Sequence, residues 1–504
     1  MHRDDIFHVD AISAAGQFTK SGHQLAGRNW SGFASGGRGW SGFAKPRYFT
    51  STIKMLRRYS AVCTMSHKHS MAWQFLLACS VVLSGTTAVH ANGWTGFQGP
   101  VPADANVKAL PLTWSPSDGI QWKVSLPGYG QSSPVTWGSH AFVTSISGPR
   151  KEKCLVTAIN LENGETVWSR EFDAASQAEN SNYVSKAAPT PVVDAEGVTC
   201  FFEGGNLLSL THAGEMRWQR DLVKDFGPIE SRHGLAASLE QTDDRIFVWV
   251  ERQADPYVLA VDKKTGRDIW KVPGLGVTSW ASPRLVPVDG GSHLVLSGIG
   301  LLEGLDPQTG KVLWKFDGIK GNSTPTPVPV GDGKFLIGAT VGRGEGDSGK
   351  AAESNGLIAI RKGDDGTFRA EYIWKAKRAT SSFGSPLAYR GLAYFVNATG
   401  VLFCLDLETG EERYSNRLAD SIWATPIPLG DRIAVFGKGG TVSIVAAGPE
   451  FEKLAENSTW EAAAADPATA RPGGGGPVLY AAVYVQDRLL LRRGDVLYCV
   501  APRR

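Results

Sequence analysis

The chain has 504 residues, 42% of them apolar and 20% charged, with 52 Lys/Arg against 49 Asp/Glu. Residues 1–91 hold ten of the basic and three of the acidic residues, which leaves 42 against 46 in the remainder, a net charge of −4. With no basic stripe and no basic–aromatic interleaving, nucleic acid is excluded as the expected partner.

Residues 1–54 are rich in Gly, Ser and Arg, show no amphipathic period, and carry Trp-Ser-Gly-Phe-Ala twice, at Trp30–Ala34 and Trp40–Ala44. They are either a disordered extension or upstream sequence included by a wrong start, with Met55, Met65 and Met71 as alternative starts. Residues 55–91 read as a secretory signal region. Arg57, Arg58 and Lys68 precede an apolar run from Met71 to Leu83, and the small-x-small sequence Val89-His-Ala91 marks cleavage after Ala91. The run is too short to span a bilayer. Leu76-Leu-Ala-Cys79 only faintly resembles a lipoprotein box, since the apolar core lies mostly after the cysteine, so a lipid anchor is not expected. The chain is therefore expected to be exported, to the periplasm or cell envelope, and monomeric.

Residues 92–504 read as one all-β domain. Eight times a small residue followed by Pro, or a near substitute, precedes a strand signal: Ser133-Pro134, Thr190-Pro191, Ala237-Ser238, Ser282-Pro283, Thr326-Pro327, Ser385-Pro386, Thr425-Pro426 and Ala481-Ala482. A strand-built repeat of 40–59 residues points to a radial propeller, because one small sheet cannot bury its own faces. Between these signals a polar turn with Gly leads to an aromatic residue: Gly164 to Trp168, Gly214 to Trp218, Gly266 to Trp270, Gly310 to Trp314 and Gly410 to Tyr414. The fifth copy is stretched, from Asp364-Asp-Gly366 to Trp374, and the seventh has decayed to Ala447-Gly-Pro-Glu-Phe451. Asp-x-x-Thr-Gly closes a tight hairpin, with Gly supplying positive φ. The Trp suits a seam between neighbouring blades, where full burial contributes roughly 2–3 kcal/mol.

Two segments interrupt the rhythm, a glycine-rich insertion at Val341–Ser354 and a loose connector at Glu461–Gly476. The final stretch, Ala481–Val500, supplies three strands and no Gly-x-x-x-Trp strand, while Ile120–Leu126 stands alone near the start. The N-terminal strand near Trp122 is expected to complete the last blade, so that the ring closes without an open edge. The architecture predicted is an eight-bladed β-propeller of four-stranded antiparallel blades. Cys154, Cys200, Cys404 and Cys499 sit singly in apolar strand patterns of different units, which argues against haem, zinc or a redox dithiol and for buried free thiols.

The Asp-x-x-Thr-Gly-x-x-x-Trp units resemble the PQQ-like repeat family over about residues 94–501. Trp94-Thr-Gly-Phe-Gln-Gly-Pro100, Trp122–Gly128 and Phe226–Gly234 are similar to an exported bacterial subgroup, related in fold to quinoprotein dehydrogenases and to the outer-membrane assembly propeller lipoprotein. The dehydrogenase resemblance implies PQQ with calcium, often held beside a disulfide of adjacent cysteines. This chain has no Cys-Cys pair, no cytochrome motif and no Asn-Asp cluster assignable to the mouth, so no cofactor is expected. Fold alone does not fix function.

The loops ahead of the small-Pro signals line one mouth of a propeller. The candidate ligand residues there are Gln131, Lys186, Glu230, Arg232, His233, Trp280 and Trp423. Asp225–Gly234 is absent from the other units and packs several ionisable groups together. Either Glu230, Arg232 and His233 orient a ligand, or Arg232 pairs with Glu230 or Asp225 to stiffen the loop. Trp280 and Trp423 hold matching places in two units, and either present ring faces to a planar ligand or plug the channel. No catalytic or metal-ligating residue is assigned. The leading reading is a non-catalytic exported scaffold for an envelope protein or a small ligand. Its alternatives are a PQQ-dependent dehydrogenase of alcohols or sugars and an outer-membrane assembly scaffold.

Overall fold

A computed structural model describes residues 93–99, 107, 109–180, 184–231, 233–322, 324–339, 354–461 and 477–502. The leader, nearly all of the Val341–Ser354 insertion and most of the connector before the last blade lie outside the described residues, as does Arg232.

Eight four-stranded antiparallel sheets form the ring. Blade 1 comprises Val135–Trp137, His140–Ser147, Lys153–Asn160 and Thr166–Asp173. Blades 2 to 7 repeat this order, starting at Val192, Glu240, Arg284, Val328, Leu387 and Ile427 and ending at Asp221, Pro273, Phe316, Lys375, Arg417 and Ser458. In blade 8, Ala481–Val485, Arg488–Arg493 and Val496–Val500 are completed by Ile120–Ser125, which pairs with the last strand in a register of Trp122 opposite Cys499. The closure expected from the sequence is the one observed. First strands of neighbouring blades touch around the axis, as Val135–Trp137 does with Val192–Asp194 and Ile427–Leu429 with Ala481–Val485, so the first strand of each blade is innermost.

The small-Pro series has a direct structural cause. The backbone N–H of each small residue donates to the hydroxyl of its counterpart in the next blade: Ser133 to Thr190 at 3.0 Å, Thr190 to Ser238 at 3.0 Å and Ser238 to Ser282 at 3.0 Å. The relay continues from Ser282 to Thr326 at 2.9 Å, Thr326 to Ser385 at 3.0 Å and Ser385 to Thr425 at 3.1 Å. The following Pro brings no N–H to a crowded axis, and it holds the residue before it extended. Blade 3 corrects the sequence reading by one position: its relay residue is Ser238, with Leu239 in the place of Pro. At blade 8 the counterpart is Ala481, which has no hydroxyl, and the relay stops.

The Gly-to-Trp signature is an inter-blade lock. Each Trp indole donates to a carbonyl in the third hairpin of the next blade: Trp122 to Leu161 at 3.1 Å, Trp168 to His212 at 2.8 Å, Trp218 to Lys263 at 2.8 Å, Trp270 to Pro307 at 3.1 Å and Trp374 to Leu407 at 2.9 Å. The ring lies on the glycine of that same hairpin, where a Cβ at Gly164 would sit 2.7 Å from Trp122 and one at Gly410 would sit 2.5 Å from Trp374. Trp314 is the exception. The hairpin it would meet is the stretched one of blade 5, and its indole turns to His293 Nδ1 within its own blade at 3.0 Å. The Asp turns form as expected, with Asp262 Oδ1 accepting from the N–H groups of Lys264 and Thr265 and the Thr265 hydroxyl. All four cysteines of the ring are free and buried.

Candidate functional site

The antiparallel order gives the ring two unlike faces. Loops leading into the innermost strands, and the second-to-third hairpins, lie on what we term the upper face; the Gly-to-Trp hairpins lie on the lower one. All described candidate residues from the sequence fall in upper-face loops.

Gln131 and Lys186 are brought together between blades 1 and 2. Gln131 Oε1 accepts the Lys186 N–H at 2.9 Å, and the Gln131 N–H donates to the Lys186 carbonyl at 3.0 Å. The Lys186 ammonium lies 5.1 Å from the Tyr129 ring centroid. Burial, then the neighbouring Lys151 charge, lowers its pKa. Beneath it lies a pair the sequence did not flag. Lys151 and Glu203, both buried, meet at 3.2 Å, the Lys151 ammonium also donates to the Ser185 carbonyl at 2.5 Å, and Glu203 accepts the Ala187 N–H. Burial raises the Glu203 pKa despite the facing ammonium. This pair fixes the loop on both sides of Lys186.

His233 and Trp280 are also joined, with ring centroids 5.8 Å apart, and the His233 carbonyl accepts the Ser185 N–H at 2.8 Å. Glu230 is exposed, and its carbonyl accepts the Gln253 N–H. Arg232 lies outside the described residues, and the loop is braced through other groups. Asp225 pairs with Arg220 at 2.7 Å, and Arg252 from blade 3 donates to the carbonyls of Phe226, Gly227 and Pro228 at 2.6–2.8 Å.

Trp423 lies in a third cluster. Its ring centroid is 4.6 Å from that of Phe383, the Lys438 ammonium sits 4.4 Å over it, and its indole N–H donates to the Ser421 hydroxyl at 3.2 Å. Asp420 ties the Lys438 hairpin down by accepting the Gly439 N–H at 2.5 Å. Phe383 is 43% exposed, so the cluster presents an aromatic face to solvent with a cation beside it. Lys438 escaped the sequence reading because it belongs to a second-to-third hairpin; the signal available was its position in Gly-Lys-Gly-Gly, a turn on the same face as Trp423.

Residues 93–99 cross the innermost strands of blades 1 to 4. The Trp94 N–H donates to Thr136 Oγ1 at 2.7 Å and its carbonyl accepts the Thr136 N–H at 2.8 Å. Thr95 O accepts from Val193 N–H at 3.1 Å and from Gln241 Nε2 at 3.3 Å. The residues there do not suit calcium-bound PQQ. Among the described residues no three His, Cys, Asp or Glu side chains converge on a common point, and the one charged side chain lining the axial cavity, Arg284, already pairs with Glu240 at 3.1 Å. No helix among the described residues is long and apolar enough to cross a membrane.

The family profile described as "Outer membrane protein assembly factor BamB" matches residues 67–248 and 254–347. Two relatives of that description were found. The one from Moranella endobia (strain PCIT) is 25% identical over 228 residues, covering 43% of this chain and 50% of the relative. The one from Alkalilimnicola ehrlichii (strain ATCC BAA-1101 / DSM 17681 / MLHE-1) is 27% identical over 218 residues, covering 42% and 49%. The chain thus spans about half the length of the curated relatives it matches. The crystal structure of BamB from Moraxella catarrhalis superposes with a TM-score of 0.51 at 15% identity, over 75% of this chain and 96% of that one, a likeness of fold. With the profile matched over more than half of its residues, the chain belongs to the PQQ-like repeat propellers of the outer membrane protein assembly factor BamB family.

Proposed function

We propose that this propeller is a non-catalytic scaffold of the cell envelope that docks a protein partner during outer-membrane protein assembly. The observation that carries the reading is the Phe383–Trp423–Lys438 cluster on the upper face, where an exposed ring stands against a second ring capped by a cation. Aromatic residues are enriched at protein interfaces relative to the rest of the surface. The family profile and the BamB relatives support the assembly context. The basic-apolar-small order of residues 55–91 supports export. A dehydrogenase is the weaker reading, since the axis is crossed by the chain's own Trp94 and no calcium donor set is found there among the described residues.

The test is complementation. Cells lacking this chain should show fewer β-barrel proteins in the outer membrane, restored by the wild type and not by the double variant Phe383→Ala, Trp423→Ala at equal abundance and equal unfolding midpoint. Full restoration by the variant removes the docking role from this cluster. No change on deletion removes the assembly role itself.

A further inference from the structure

Above Gly93–Gly99 the axis holds a cavity of about 230 Å³, walled on one side by Trp94, Gln98 and Arg284 and on the other by Pro386, Leu387 and Ile427. A dry cavity of about 150 Å³ is enough to take benzene, so this one has room for a ring and a polar group. Its two walls differ in chemistry. Apart from Thr425, the blade 6 and 7 side is prolines and aliphatic side chains. On the other side buried polar atoms stand without a protein partner, three donors (Trp94 Nε1–H, Gln98 Nε2–H and Arg284 Nε–H) against one acceptor, Gln98 Oε1. Trp94 is itself only 7% exposed.

Leaving such groups unmet costs about 1–3 kcal/mol each, so three donors on one wall mark a place where an acceptor belongs. The end of the hydroxyl relay lies at the same cavity. The six counterparts of Thr425 each meet a hydroxyl in the next blade, whereas Thr425 faces Ala481, and both residues line this cavity. The excess is of donors, one of them on a guanidinium. That favours an anionic oxygen pair over a cation or a hydrocarbon, and a carboxylate accepts several such bonds at once. Glu240, the acid nearest Arg284, is engaged by the Leu285 N–H and Arg284 Nη1.

We propose that the axial cavity is a binding site for a small monocarboxylate with an apolar body. Its oxygens are held by Trp94 Nε1–H, Gln98 Nε2–H and Arg284 Nε–H, and its body lies against Pro386, Leu387 and Ile427. The site is independent of the upper-face docking cluster.

Benzoate is the probe, added to the intact secreted chain, with calorimetry and the indole N–H resonance of Trp94 (identified by its loss in Trp94→Phe) as readouts. The proposal expects saturable binding that shifts this resonance, with benzyl alcohol at least tenfold weaker. Gln98→Leu should weaken benzoate about tenfold, the loss of one charge-assisted bond, while the unfolding midpoint holds; this variant carries the test if Trp94→Phe does not fold. Equal affinity for benzoate and benzyl alcohol would overturn it in favour of an apolar void. Absence of saturable binding would overturn it in favour of a solvent-filled chamber.

Discussion

Arg492, wholly buried in the second strand of blade 8, donates from Nη1 to the Ser132 hydroxyl of blade 1 at 3.0 Å. Its Nη2 reaches the Thr144 carbonyl at 2.6 Å. The guanidinium stands where the hydroxyl relay has broken off, and it joins the last blade to the first. Burial pulls its pKa down to about 9, against a small opposing effect of Tyr129. Arg492→Met should lower stability by about 2–4 kcal/mol, because the carbonyls of Ser132 and Thr144 lose a buried donor. Denaturant titration measures this, and a loss below about 0.5 kcal/mol would mean that the closure does not depend on the arginine.

The relay makes a paired prediction. Thr190→Val keeps the shape and removes the acceptor of the Ser133 N–H, and should cost about 1–2 kcal/mol. Ala481→Ser supplies the missing hydroxyl to Thr425 and should stabilise by about 0.5–1 kcal/mol. If both substitutions leave the unfolding midpoint where it was, the relay is geometric coincidence.

Gly164 tests the seam that closes the ring. An alanine Cβ there would lie 2.7 Å from the Trp122 ring, whereas at Gly138, also at positive φ, it would meet nothing within 4 Å. Gly164→Ala should therefore destabilise by about 2 kcal/mol more than Gly138→Ala, since the backbone cost is common to both. Thermal unfolding of the two variants side by side decides it.

Asp406 gives a pH prediction. Its carboxylate is bonded first by Arg413, then by the Thr409 and Glu408 N–H groups and the Thr409 hydroxyl, which holds its pKa at about 2. A carboxylate with a lowered folded pKa stabilises fully above the ordinary Asp value, and the contribution fades as pH falls from about 4 towards 2. The stability gap between wild type and Asp406→Asn should be largest near neutrality and should narrow across that interval. A gap that stays constant down to pH 2 would contradict the assignment.

What the chain declared in advance was whatever repeats. Ser133, Thr190 and Thr425 each serve the same bond, and Gly164 and Gly410 each receive a Trp, so their periodicity shows through. The misreading at Ala237-Ser238 arose where Leu239 replaced the marker proline. The odd fit of Trp314 had its warning in the stretched blade 5 turn. The functional side was less legible, since it rests on contacts between residues far apart. Arg252 grips a loop some twenty-five residues earlier by its carbonyls, which leaves no trace in residue type at the receiving end. Trp94 bonds Thr136 across the closing strand and the mouth loop, a contact that no repeated pattern announced. Lys438 sat in an ordinary glycine turn.

On the proposed reading the upper face meets a partner through Phe383 and Trp423. A photo-crosslinking amino acid placed at Phe383, and in a separate protein at Val167 on an outermost strand, tests it directly in intact cells. The account predicts a discrete adduct from position 383 containing an outer-membrane assembly protein, lost on Trp423→Ala, and none from position 167. Adducts from 167 alone, or from neither site while the protein is folded and exported, would contradict it.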